Sequence, residues 1–203
     1  MRILMFESFA ETAKKKTLVC VDIQPAYKVK FSVSGFFDFL NGAVDEYNKV
    51  IYLYNGPRLG YGDLSELQMW MYTNGFEEEK LDKVNFFEKE YGYLRVAMDE
   101  GCPDSIISAL VKWMIDNGVG SSGEITEDQW ASIGGGMDMQ RIKEMSDGGD
   151  CIYLPDNDIM ELLNSLTAPI DMVGGQEVEC LNEIEILLDA IGKEHRRINA
   201  WIY

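Results

Sequence analysis

Six side chains of the kinds that do chemistry stand where the chain leaves an apolar run: Asp22, Arg58, Asp156, Asp158, Glu177 and Cys180. A cysteine thiolate is a nucleophile. Carboxylates accept protons or hold hard cations, and a guanidinium grips anions. Each of the six also has a plainer use. An aspartate at a strand end caps a loop or helix, and a buried thiol packs as a small hydrophobe. Arg58, in the Gly/Pro-containing loop 55–62, could pair with one of the many acids. Residue type alone therefore names no reaction, and what matters is which elements bring these groups together.

The run Thr17-Leu-Val-Cys-Val-Asp-Ile23 is short, apolar and partly β-branched. It suits a strand buried on both faces of a parallel sheet. Residues 50–54, 151–154 and 170–174 read the same way, and 198–203 reads as a closing strand. Helical spacing appears over 34–47, 64–74, 104–117, 157–166 and 177–192, the last with Val178, Leu181, Ile184, Leu188 and Ile191 on one stripe. Asp63 and Glu66 form a capping pair for the helix at 64–74, and Thr126 and Gln129 another for a helix at 127–133. His195, in Lys193-Glu-His-Arg-Arg197, is expected to offset the dipole at a helix C-terminus. Strand and helix alternate with short connections, which implies right-handed crossovers. The fold class is α/β: a mainly parallel, Rossmann-like sheet of five or six strands with helices on both faces. Residues 77–147 carry charge runs and glycine clusters. They are expected to form a helical insertion or cap within one domain, with a short strand near 91–96 at most. Parallel sheets bind ligands beyond the carboxyl ends of their strands, where the six groups gather. Asp22 and Cys180 should converge there to within about 10 Å, given the spacing of neighbouring strands.

Two segments carry a resemblance. Leu18-Val-Cys-Val-Asp-Ile-Gln-Pro-Ala-Tyr27 resembles the opening strand of the isochorismatase-like cysteine hydrolases, with Asp22, Gln24 and Tyr27 in the family's places. Ile170-Asp-Met-Val-Gly-Gly-Gln-Glu-Val-Glu-Cys-Leu181 resembles that family's strand, glycine, five residues and helix-opening cysteine. The resemblance implies a hydrolase for a small amide or vinyl-ether-type substrate. Asp22 would be the general base and Cys180 the nucleophile, while Gln24, Tyr27, Gly174 and Gly175 would contact substrate, joined by Arg58 if that loop arginine binds an anion rather than an acid of the chain. It also implies a lysine completing an Asp–Lys–Cys triad and no cofactor. The strand at 151–154, where that lysine is expected, has none. Either another lysine such as Lys89 or Lys143 reaches in, or the chain is a fold relative without the activity. Without a basic partner, the carboxylates of Asp22, Glu177 and Glu179 would outweigh a helix dipole worth about 0.3–1 kcal/mol and leave Cys180 a sluggish thiol.

The same edge is similar to that of PIN-like nucleases, which would use Asp22, Asp156, Asp158 and Glu177, with Glu66 as a further candidate, to hold Mg²⁺ or Mn²⁺. A third alternative is a non-catalytic module presenting an acidic surface. The 203 residues carry 18 Lys+Arg against 35 Asp+Glu, a net charge of −17. Such a field repels phosphate backbones and anionic lipid, which argues against duplex nucleic acid. A basic protein partner or a homo-oligomer stays open, beside the small-molecule substrate. No run is long enough for a membrane span or a signal-peptide core. The four cysteines are widely spaced with no C-x-x-C pair, and read as free thiols of a cytoplasmic protein.

Overall fold

The computed structural model describes residues 16–56, 63–89, 103–118 and 157–203, together with positions 128 and 140. Five strands form one sheet: β1 (Thr17–Val21), β2 (Lys49–Tyr54), β3 (Val84–Glu88), β4 (Ile170–Gly174) and β5 (His195–Arg197). All pairings are parallel, in the order β3-β2-β1-β4-β5. The chain therefore adds β2 and β3 on one side of β1, then crosses to add β4 and β5 on the other. The reversal falls between β1 and β4.

The helices among the described residues are α1 (Val33–Glu46), α2 (Leu64–Thr73), α3 (Asp104–Asp116), α4 (Asn157–Ser165) and α5 (Cys180–Ala190). Ser32 caps α1 by accepting from the Gly35 N–H, and Asp63 caps α2 by accepting from Ser65 and Glu66. Phe36, Phe37, Leu40 and Ala43 of α1, with Leu67 and Met71 of α2, pack on the sheet face carrying Leu18, Cys20, Val50, Tyr52 and Val173. The opposite face, with Val19, Val21, Ile51, Leu53 and Met172, is buried as completely. This explains why β1, β2 and β4 read as continuous apolar runs.

The chain divides into two compact units. One holds the sheet, α1 and α2. The other holds α3, α4 and nearly all of α5, with Ile107, Leu110, Met114, Leu163, Ile184 and Leu187 buried. No helix among the described residues is long and apolar enough to cross a membrane.

Three assignments from sequence differ from the structure. Residues 84–88, read as part of the insertion, form the edge strand β3. Only Val84 of its five residues is buried, so it lacks the apolar run that marks a central strand. The closing strand is His195–Arg197 rather than 198–203, so His195 lies in a strand and not at a helix end. Residues 199–201 make a 3₁₀ turn that places Trp201 against Phe31, Phe36 and Phe39. Val178 falls before α5 and is 74% exposed instead of sharing its apolar stripe. The expected strands at 151–154 and 91–96 and the helix at 127–133, apart from Asp128, lie outside the described residues.

Candidate active site

In a doubly wound sheet, ligands bind beyond the carboxyl ends of the strands where the order reverses. Here that place is the gap between the loops leaving β1 and β4. Val21 and Gly174 are register partners at the ends of these strands, so Asp22 and the Gly174–Cys180 loop begin side by side.

Asp22 is held from both sides. Its N–H donates to the Leu53 carbonyl at 2.9 Å, and its own carbonyl accepts from the Tyr203 hydroxyl at 2.9 Å. Its φ of 51° lies in the left-handed region, which aspartate tolerates better than most residues. One carboxylate oxygen is 2.9 Å from Lys89 Nζ, and both side chains are shut off from solvent. The other oxygen has no hydrogen-bond donor. Lys89 follows β3, with its N–H extending the ladder to the Tyr54 carbonyl at 2.8 Å. Its side chain thus crosses the end of β2 to reach β1.

Asn55 occupies that end of β2. By the register that pairs Tyr54 with Glu88, it stands opposite Lys89. Its side chain is fully buried, and neither amide atom has a hydrogen-bond partner. A buried amide left unmatched costs about 1–3 kcal/mol, so its retention asks for a reason other than stability. Gln24 is joined to the same turn through the main chain. It donates to the Asn55 carbonyl at 3.1 Å and accepts from the Asn55 N–H at 2.9 Å. Those two bonds make Gln24 the brace of the β2 turn.

Cys180 is the first residue of α5, buried and unoxidised. A helix N-terminus favours a thiolate. Gly174 and Gly175 make the approach to it, with φ of +80° and +63°. A Cβ at Gly174 would strike the Val21 carbonyl and the Ile23 side chain, and one at Gly175 would sit 2.9 Å from the Leu181 nitrogen. Both glycines are therefore required by the close packing of β1, the β4 loop and the start of α5. Tyr203 links the two halves. Its N–H donates to the Gly175 carbonyl and its carbonyl accepts from Glu177. Its phenol is pushed up first by burial and then by the negative charges of Asp22 and Cys180.

Comparison with protein-family models, with curated proteins and with solved structures found no match to this chain.

A pocket of about 390 Å³ opens at the same reversal, lined by Ala26, Tyr27, Lys28, Lys30, Gln176, Glu177, Val178 and Tyr203. Among the residues singled out from sequence, Asp22, Gln24, Tyr27, Gly174, Gly175 and Cys180 fall at this reversal or brace it. Arg58, Asp156 and Lys143 lie outside the described residues. Asp158, on α4, and Glu66, on α2, are exposed, and Glu177 faces Arg197 at 3.4 Å. No three His, Cys, Asp or Glu side chains cluster among the described residues. Asp22, the carboxylate that a metal site would need first, already has an ammonium against it. Sequence reading overlooked Asn55 and Tyr203. It named Lys89 only as an arrival from the insertion, whereas Lys89 extends the β3 ladder.

Proposed function

We propose that this chain is an isochorismatase-like cysteine hydrolase for a small amide or vinyl-ether-type substrate, with Cys180 as nucleophile, Asp22 as general base and Lys89 as the cation between them in the charge balance. The observation that carries the reading is the buried Lys89–Asp22 pair at 2.9 Å, on the sheet edge that also receives Cys180. Lys89 is a basic group of the kind the resemblance asks for, placed at the end of β1 rather than on the strand at 151–154. Removing two charges from water costs several kcal/mol per ion, an arrangement better explained by chemistry than by stability.

For an amide, Asp22 takes the Cys180 thiol proton as sulfur attacks the carbonyl carbon. The protonated Asp22 returns that proton to the leaving nitrogen as the C–N bond breaks, giving ammonia or an amine and a thioester on Cys180. Water then loses a proton to Asp22 and attacks the thioester. The carboxylic acid departs as sulfur recovers its proton. Lys89 stays against the Asp22 carboxylate through these transfers. Cys20 and Cys180, neither of them in a disulfide, suit a reducing, cytoplasmic setting.

Alkylation by iodoacetamide across a pH series tests the reading. Burial pushes the Cys20 thiol up, which keeps it silent in this assay, and reading the alkylated Cys180 peptide by mass spectrometry separates its reaction from those of Cys102 and Cys151. Cys180 is expected to react with a midpoint well below the free value of about 8.5. Cys180→Ser should abolish ammonia release from small amides. A midpoint at 9 or above would overturn the assignment.

A further inference from the structure

We infer that the pocket beside the candidate active site selects an anionic substrate, a carboxylate-bearing amide, through Lys28 and Lys30. The inference rests on the hydrolase reading for what happens to the amide, and on separate observations for the anion.

In a chain of net charge −17, basic side chains are expected to be matched. Among the described residues nearly all are: every lysine and arginine but three is ion-paired or hydrogen-bonded. The exceptions are Lys28, Lys30 and Lys49. Lys49 starts β2, at the amino end of the sheet, far from any strand's carboxyl end. The other two line the one wall of the pocket that the β1 loop supplies. The acid on the facing wall, Glu177, is already opposed by Arg197 at 3.4 Å. Among its described lining side chains the pocket therefore keeps a positive surplus, two lysines against an acid already paired, in a chain that is negative as a whole, and such a cleft draws anions in preference to neutral molecules.

The remaining walls say what else the molecule carries. Tyr27 and Tyr203 hold their rings 6.4 Å apart at 36°, and Val178 is exposed beside them. Such surfaces suit a flat or apolar body. The Tyr203 hydroxyl donates to the main-chain carbonyl of Asp22, so the aromatic wall runs from the lysines to the loop that carries Asp22. An anion seated on Lys28 and Lys30 would leave the rest of a short molecule along that wall.

Calorimetric titration with phthalamate and benzamide tests this, since the two share a ring and a carboxamide and differ by one carboxylate. In the Cys180→Ser protein, phthalamate should bind about tenfold more tightly than benzamide, with the gap closing as salt is raised. Adding K28A and K30A should bring the two affinities together while leaving Tm unchanged, because both lysines are exposed and unpaired. Equal affinities at the outset, a preference that survives loss of both lysines, or no binding of either probe at millimolar concentration would overturn the proposal. A lysine-dependent preference without ammonia release from phthalamate by the unaltered protein supports the anion site and counts against the hydrolase alone.

Discussion

Asp171 and Asp22 are both wholly buried in neighbouring strands, one near the amino end of β4 and the other just past the carboxyl end of β1. Asp171 is fully answered. It accepts from the Tyr47 hydroxyl at 2.7 Å and from Arg196 through two nitrogens, with Lys16 at 3.8 Å. The Arg196 side chain is 60% exposed, so that charge keeps its water while anchoring a buried partner. Asp22 has a single counter-charge, itself fully buried, an oxygen without a donor and an unmatched amide nearby. One end of the sheet is fully paired, and at the other an aspartate oxygen and an asparagine amide have no partner among the described protein groups. The same residue type, equally buried, serves two ends.

The largest expected effects separate these roles. Asp22→Asn should lower kcat for amide hydrolysis by about 10²–10⁴-fold, the usual contribution of a general base. It should also destabilise the fold by about 3–5 kcal/mol, since the buried Lys89 loses the carboxylate 2.9 Å from its ammonium. The double variant Asp22→Asn/Lys89→Met should recover most of that stability in urea melts while staying inactive. Recovery of activity along with stability would show that Asp22 holds the fold and does nothing else.

Next in size, Asp171→Asn should cost about 1–3 kcal/mol of stability through its weakened bonds to Arg196 and Tyr47. Turnover per folded molecule should not change. A drop in kcat at full folding would break the division between the two ends.

The acid limb of stability sharpens the contrast. Burial would raise the Asp171 carboxyl, but Arg196, Tyr47 and Lys16 outweigh it and hold it below the usual range. A carboxyl lowered in the folded state stabilises above its unfolded value of about 3.9, and that contribution fades as pH falls through the lower folded value. The gap in Tm between the unaltered protein and Asp171→Asn should therefore be full at neutral pH and close below about pH 4. A gap that persists at pH 2 would refute the ion-pair account.

The smallest effect is at Asn55. Replacing an unmatched buried amide by an apolar group of similar size removes a desolvation penalty, so Asn55→Leu should hold or gain about 1 kcal/mol. It should reduce kcat/KM at the same time. A clear loss of stability in thermal melts would mean that the amide is satisfied in solution, by a bound water for example.

How far these roles can be read in sequence depends on what kind of signal each leaves. β1, β2 and β4 are legible because burial on both faces forces continuous apolar runs, and their order fixes the crossover. Gly174, Gly175 and Cys180 are legible because torsion and close approach demand glycine ahead of a helix start. Lys89 was hidden by β3, an edge strand whose Asn85 and Glu88 resemble the surrounding charged stretch. The β5 error has a parallel cause. Aromatic residues at 198–203 look like a strand, yet Trp201 and Tyr203 are there to pack on Phe31, while the polar His195–Arg197 does the pairing. Asn55 leaves no sequence signal at all, because an unmet hydrogen bond is a property of surroundings and not of residue type.

The left-handed backbone at Asp22 also limits which experiments can be clean. Any replacement there is judged first on torsion and only then on chemistry. Alanine or glutamate would have to hold a φ of 51° that neither adopts readily, so a dead variant of either kind confounds a moved turn with a missing acid. Glycine accepts the torsion but surrenders the side chain. Asparagine alone keeps shape and backbone preference while discarding the charge. In a screen of all nineteen alternatives, tolerance at this position should follow Ramachandran preference, with asparagine and glycine folding best, whatever the ranking by activity.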